Sequence, residues 1–233
     1  MTSDPLAAFR DLTTAHVADA CMRLGLPVRC GPSSLSPLVA GTRFAGRALP
    51  ARHSGSVDVF LEALEHAAPG DVLVVDNAGR IDEACVGDLV ALEAARAGLA
   101  GIVIWGLHRD TVELREISLP VLSLGASPTG PAAVERQPAD ALMAARCGDH
   151  TVTADDVVLA DDDGAIFLPR SDASRIAEAA TGIRDTERRQ AAAMREGISL
   201  RSQTRFAEYL AARDERGITF RQHLRSIGGA IEE

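Results

Sequence analysis

Apolar and polar residues alternate along the chain with two different periods, and the switches between them outline a fold. Residues 13–24 read as an amphipathic helix ended by Gly25 and Pro27. A Pro-, Ser- and Gly-rich loop follows over 27–37, then a strand over 41–51 and a helix over 57–67. After the break at Pro69-Gly70, Asp71-Val72-Leu73-Val74-Val75-Asp76 is apolar without alternation, as expected of a strand buried on both faces. The loop 77–80 leads to Gly87-Asp88, which opens a helix running from Leu89 to Ala97 and stopped by Gly98. Gly101 to Trp105 is a second buried strand, Thr111 to Ile117 a short helix, and 120–124 a third strand. Strand, helix and strand in this order predict an α/β core with parallel pairing.

Beyond residue 150 the rhythm shortens. Thr151 to Thr153, Val157 to Ala160 and Ala165 to Leu168 predict short antiparallel strands, the last two joined by the turn Asp161-Asp162-Asp163-Gly164. Three aspartates suggest calcium, but their spacing is that of a hairpin turn and not of a calcium loop. Ser171 is the expected cap of a long helix reaching Glu196 and stopped by Gly197. Ser199 to Glu233 predicts two more helices whose apolar faces carry Phe206, Tyr209, Leu210, Phe220 and Leu224. That segment is too small for a core of its own and is expected to pack on the body or on a neighbouring subunit. The reading is a layered α/β fold. A single core domain of the swivelling β/β/α type spans 1–197, and a helical C-terminal extension spans 198–233.

Composition narrows the chemistry. Of 233 residues, 46% are hydrophobic and only 3% aromatic, so the core must be built from Ala, Val, Leu and Ile. No stretch approaches the roughly 20 apolar residues of a membrane helix. The N-terminus, Met1 to Pro5, lacks the basic-then-apolar order of a signal peptide, so a cytoplasmic protein is expected. A net charge of −9 argues against nucleic acid as a partner. All 24 basic residues are arginine. Without lysine, the chain itself offers no Schiff base and no phosphate-loop amine. Carbonyl chemistry would need a metal ion or hydrogen bonds as its electron sink. The cysteines Cys21, Cys30, Cys85 and Cys147 form no CxxC pair and read as small buried residues or idle thiols. No predicted strand is followed by a glycine-rich loop of the nucleotide-binding kind.

One constellation stands out. Asp88 begins a helix, and Arg109-Asp110 follows the next strand after an interval of twenty residues. In a right-handed strand–helix–strand unit both positions fall at the carboxyl edge of the sheet, where α/β ligand sites gather. There the free amides of Leu89 and Val90 suit a carboxylate. Arg109 suits the same anion or an enolate oxygen, and Asp110 a hydrated Mg²⁺ or Mn²⁺. Asp88 could orient a water for proton transfer. Together they describe a site for a chelated 2-oxo acid. A purely structural alternative stands beside it: Asp88 as an N-cap, Asp110-Thr111-Val112-Glu113 as a capping box, and Arg109 pairing with an acid.

The segments Gly70 to Asp76, Gly87-Asp88-Leu89, Gly106-Leu107-His108-Arg109-Asp110 and Leu119-Pro120-Val121 resemble one family. It contains the class II 4-hydroxy-4-methyl-2-oxoglutarate / 4-carboxy-4-hydroxy-2-oxoadipate aldolases and the RraA regulators of ribonuclease E. The resemblance runs from about residue 12 to about 197. It implies that Asp110 binds the divalent metal, Arg109 contacts substrate and enolate, and Asp88 holds the water that serves as base and acid. It implies that the Leu89 and Val90 amides hold the pyruvyl carboxylate. It also implies trimers or pairs of trimers, with a glutamate of a neighbouring subunit near the site. Counting back from Gly197 places that glutamate at Glu187. His108 and Asn77 depart from the family's usual residues. His108 is read as making a local hydrogen bond, with tuning of proton transfer as the alternative, and the remaining histidines as structural.

The expected protein is a metal-dependent lyase. It would cleave a 4-hydroxy-2-oxo acid to release pyruvate, decarboxylate oxaloacetate, or do both. The alternatives are a non-catalytic RraA-like regulator that binds a ribonuclease, and a biosynthetic lyase with an unusual substrate.

Overall fold

The computed structural model describes residues 5–228. The stretch 1–4, on which the reading of the N-terminus rests, and the last five residues of the extension lie outside them. The first half contains α1 (Pro5–Phe9), α2 (Thr14–Arg23), β1 (Ser36–Pro37), β2 (Phe44–Arg52), α3 (Asp58–Glu65), β3 (Val72–Asp76), β4 (Ala84–Val86), α4 (Asp88–Arg96), β5 (Gly101–Trp105), β6 (Leu107–His108) and α5 (Thr111–Ile117). The second contains β7 (Val121–Ser123), β8 (Ala144–Cys147), β9 (His150–Thr153), β10 (Asp156–Asp161), β11 (Gly164–Pro169), α6 (Ala173–Arg195), α7 (Leu200–Gln203), α8 (Phe206–Arg216) and α9 (Phe220–Ile227).

Seven strands form one sheet in the order β1-β7-β5-β3-β2-β10-β11. The centre, β2, β3, β5 and β7, is parallel, as the strand–helix alternation predicts. β10 pairs antiparallel with both β2 and β11. β10 and β11 meet at Asp161 and Gly164, so the three-aspartate segment is the hairpin turn. Asp161 accepts from the backbone N–H and the hydroxyl of Thr14, at 2.8 and 2.7 Å, and thereby fastens the start of α2 to that turn.

The unbroken apolar runs have a direct cause, since every residue of β3 and nearly every residue of β5 is buried, with both faces covered. Leu73, Val75, Ile102 and Ile104 point into one cluster with α3, α4 and α5. Val72, Val74 and Val103 point the other way, against the β8–β9 hairpin. Farther along the sheet, Val157, Leu159, Ile166 and Leu168 pack on α1, α2 and α6. The layers are therefore helices, sheet and hairpin. Strand β8 and the short parallel pair β4–β6 are additions to the sequence reading. At two to four residues each, they carry too little periodicity to be seen from sequence.

The expected strand over 41–51 is β2 at Phe44–Arg52, β1 lies within the expected loop over 27–37, and two readings nearer the C-terminus also differ. Asp172, not Ser171, precedes α6, and no side chain caps that helix. The extension holds three helices among the described residues and not two, because the four-residue α7 turns the chain before α8. The extension also gathers an apolar cluster of its own. Tyr209 lies 4.9 Å from Phe220 between ring centroids, Phe206 packs on both, and Leu224 is fully buried. Gln203 ties α7 back to α6 and the turn after it through the carbonyls of Gln190 and Ile198.

Candidate active site

The β3–α4–β5 crossover brings Asp88, Arg109 and Asp110 to one edge, as the right-handed unit requires. Gly87 occupies the N-cap position of α4, so Asp88 is the first helical residue and not the cap. β5 ends at Trp105, the short β6 carries His108 beside Val86, and Arg109 N donates to the Val86 carbonyl at 2.9 Å. This second small sheet holds the Arg109-Asp110 pair against the start of α4.

Asp110 adopts the left-handed conformation, φ 56° and ψ 47°. Aspartate is among the few side chains that visit this region readily. The result rules out the capping box read from Asp110 to Glu113. Asp110 precedes α5, yet its side chain makes no capping hydrogen bond there. Its carboxylate turns instead to the start of α4, where Oδ2 stands 3.4 Å from the Asp88 N–H and 3.4 Å from Arg109 Nε. Both contacts are long, and the Asp110 and Arg109 side chains remain 36% and 49% exposed. Asp110 is a carboxylate with unused acceptor capacity.

Two glycines make room for this pair. A Cβ at Gly87 would overlap Asp110 Oδ2 and come within 3.1 Å of Arg109 Nε. A Cβ at Gly130 would lie 2.8 Å from Arg109 Nη1. The arginine thus runs between two backbone segments that carry no side chain.

Asp88 Oδ1 accepts from the Leu89 N–H at 2.7 Å. The Leu89 amide assigned to a substrate carboxylate is therefore taken by Asp88 in the free chain, and a ligand there would have to displace it. Val90 is buried one residue further along the same first turn. Asp88, Leu89, Val90 and Arg109 line a cavity of about 430 Å³, together with His53, Val57, Leu61 and Leu92. A smaller cavity of about 260 Å³ reaches Arg109 and Asp110. Arg109 borders both.

Glu187 is not brought to this group within one chain. It lies on α6 with its carboxylate 3.1 Å from His16 Nε2. His108 forms local bonds, Nδ1 to the Ser123 hydroxyl at 2.7 Å and Nε2 to the Thr111 hydroxyl at 3.1 Å. Burial, with Arg115 nearby, lowers its pKa and keeps the ring neutral.

His53 is one of the histidines read as structural. Its ring stands in the wall of the larger cavity, 9% exposed, and its Nε2 is buried with no partner among the described residues. Asn77 Nδ2 and Glu83 Oε2 are likewise buried and unpaired. An unpaired buried polar atom costs about 1–3 kcal/mol, and of the three only the His53 nitrogen belongs to a residue that lines the cavity. No spacing motif marks them. The only sequence signal is a histidine set just past a predicted strand.

A divalent cation fits the donor set. Among the described residues no three His, Cys, Asp or Glu side chains gather as a protein cage. A single under-used carboxylate at a cavity suits Mg²⁺ or Mn²⁺, which keep several waters and need only one or two carboxylates from the protein.

A three-layer α/β fold with an Asp, Arg and Asp cluster at the carboxyl edge of its parallel strands defines a class. The comparisons give that class a family. Residues 14–167 match the family model described as RraA-like, Aldolase/RraA, and the chain belongs to that family. A 4-hydroxy-4-methyl-2-oxoglutarate aldolase of Thermus thermophilus is 35% identical over 127 residues, 54% of this chain and 76% of the relative. RraAS2 of Streptomyces coelicolor, described as an unusual member of the RNase ES inhibitor RraA family, superimposes with a TM-score of 0.71. It shares 29% identity and covers 81% of this chain and 96% of its own. An uncharacterised protein of Pseudomonas syringae also gives 0.71, at 25% identity, over 84% of this chain and 94% of its own. Residues 168–228 lie beyond the family match.

Proposed function

We propose that this protein is a divalent-metal-dependent carbon–carbon lyase. It cleaves a 4-hydroxy-2-oxo acid to release pyruvate, and decarboxylates oxaloacetate at the same site. The observation that carries the reading is the under-used Asp110 carboxylate, set beside Arg109 and the start of α4. The aldolase relative from Thermus thermophilus supports the same reaction class.

Asp110 would hold Mg²⁺ or Mn²⁺, and the bound cation would polarise the 2-oxo group. The chain's own groups do the rest. The Arg109 guanidinium, free of any tight partner, faces the negative charge that collects on the 2-oxo oxygen as the C3–C4 bond breaks. The Val90 amide, and the Leu89 amide once Asp88 swings away, hold the carboxylate. Released from Leu89, Asp88 orients a water that takes the proton of the 4-hydroxyl, and a water later returns a proton to C3. In decarboxylation the leaving fragment is CO₂ and the first proton transfer is not needed.

The exposed Leu89 and Leu92 of α4, with Val57 and Leu61 beside them, flank the cavity. A trimer or a pair of trimers burying these residues would close the site, and would give the partner subunit's Glu187 a way to reach it. A second reading, a non-catalytic regulator of a ribonuclease, draws on the same apolar rim and on the likeness to the Streptomyces protein of the RNase ES inhibitor family. It leaves Asp88, Arg109 and Asp110 without a task.

The deciding experiment is pyruvate release from 4-hydroxy-4-methyl-2-oxoglutarate and from oxaloacetate, with Mg²⁺ or Mn²⁺ and again after chelation. Release that chelation stops and metal restores is the expected result. No release from either acid, with a ribonuclease retained by the purified protein, would favour the regulator.

A further inference from the structure

His108 precedes the Arg109-Asp110 pair and is 4% exposed. Its backbone N–H donates to the Gly125 carbonyl at 3.0 Å, and its carbonyl accepts from the Ser127 N–H at 2.9 Å. The ring ties two more elements to this segment. Nδ1 meets the hydroxyl of Ser123, at the end of β7, at 2.7 Å, and Nε2 meets that of Thr111, the first residue of α5, at 3.1 Å. A hydroxyl both donates and accepts, so both bonds stand in either tautomer of the ring. The imidazole therefore bridges residues 108 and 111, and Asp110 sits inside the bridged span in the left-handed conformation.

That span lacks the usual fastening. A helix start is ordinarily held by a side-chain bond from the residue before it, at about 1 kcal/mol. Asp110 occupies that place and gives no such bond, because its carboxylate is turned to the start of α4. Among the described residues, the one side-chain hydrogen bond to the first turn of α5 from outside it is that of His108 to Thr111. The Asp110 carboxylate itself is held only by contacts of 3.4 Å, so its place depends on the backbone that carries it. We propose that His108 is a positioning residue for Asp110: through Thr111 and Ser123 it fixes the left-handed turn, and so sets how tightly that carboxylate binds a divalent cation. This rests on the reading of Asp110 as the ligand of the cation. A carboxylate on a fixed backbone gives up less conformational freedom when the cation arrives, and partners one step removed from a metal are worth about 10–100-fold in its affinity. His108 touches neither cation nor substrate, and no proton moves through it.

The test reads Mn²⁺ affinity directly, from the electron paramagnetic resonance signal of the free ion as the full chain is titrated without substrate. Thr111→Val has nearly the same shape without the hydroxyl, and Thr111→Ser keeps the hydroxyl. The expected result is a dissociation constant about tenfold higher in Thr111→Val, and within about twofold of wild type in Thr111→Ser. His108→Leu, which loses both bonds, should bind at least as weakly as Thr111→Val, and combining the two should weaken binding no further than His108→Leu alone. An affinity unchanged in Thr111→Val, or lowered equally in Thr111→Val and Thr111→Ser, would overturn the inference. The bridge would then only stabilise α5. If wild type still binds Mn²⁺ and Asp110→Asn does not, the metal reading survives that outcome. A wild type that binds no Mn²⁺, or an Asp110→Asn variant that binds it equally well, would overturn both. Should His108→Leu fail to fold, the two Thr111 variants decide.

Discussion

At the amino end of β3, Arg47 sends two guanidinium N–H groups to Asp71, at 2.6 and 3.1 Å, and the Ala68 N–H adds a third bond at 2.9 Å. Asp71 is 4% exposed, and its hydrogen bond holds the Arg47 guanidinium above its ordinary pKa. At the other edge, past β5, Arg109 and Asp110 meet through one contact of 3.4 Å and stay open to solvent. The residue types are the same and the positions are opposite. The first pair is saturated and can only stabilise. The second has capacity left over, which solvent meets at no cost and a ligand could use. What separates a structural ion pair from a candidate site is therefore how many of its bonds are already spent, and not the presence of charge.

The largest expected difference between the two edges comes from Asp110→Asn. Asparagine tolerates the left-handed backbone at this position but gives a cation no anionic ligand. Pyruvate release should fall by about 1,000-fold or more, with the thermal midpoint within roughly 2 °C of wild type. A protein that unfolds several degrees early yet turns over normally per folded molecule would place Asp110 in the same category as Asp71.

Gly87→Ala asks whether the open pair depends on a missing side chain. With φ at −129° the backbone accepts alanine, but the new Cβ overlaps Asp110 Oδ2 and crowds Arg109. The pair must shift, and kcat/KM should drop roughly tenfold to a hundredfold while stability changes by about 1 kcal/mol or less. Unchanged turnover would mean that the position of the pair does not matter to the chemistry.

The saturated edge gives the converse test. Asp71→Asn leaves the Arg47 cation short of its partner, and stability should fall by about 2–3 kcal/mol, less than the roughly 3–5 kcal/mol for a fully buried pair because Arg47 is partly exposed. A midpoint lowered by roughly 4–12 °C, with the rate per folded molecule at 25 °C unchanged, is expected. Lost activity in the folded variant would undo the distinction drawn between the edges.

The sequence supplies the coarse part of this picture for physical reasons. Val72 to Val75 and Ile102 to Ile104 read as buried strands because both faces are in fact covered, and Asp88 and Arg109 converge because crossover handedness leaves them no other edge. Which carboxylate is open is not legible. Asp71 and Asp110 both flank strands of the core, and their difference lies in bonds from Arg47 and Ala68 that no local pattern announces. The capping box at Asp110 fits its letters and fails on a single left-handed residue. The unpaired ring nitrogen of His53 is likewise illegible, because a missing bond leaves no mark on residue order.

The smallest effect concerns the cost of keeping the site edge unsaturated. Burial lowers the His53 pKa, so the folded protein takes up this proton less readily than the unfolded chain, whose histidine titrates near 6.5. The contribution of His53 to stability is then fully present above about pH 6.5 and is lost as pH falls below it. The loss is no steeper than about 1.4 kcal/mol per pH unit for one proton. His108 has the same sign, so the His53→Gln variant should keep part of this slope. Urea midpoints of wild type and His53→Gln at pH 7.5 and 5.5 measure it, and the gap between the two proteins should narrow or invert at the lower pH. A gap that is constant with pH would mean that the ring is not held neutral in the fold. The site edge would then carry no more pH-dependent cost than any solvated surface.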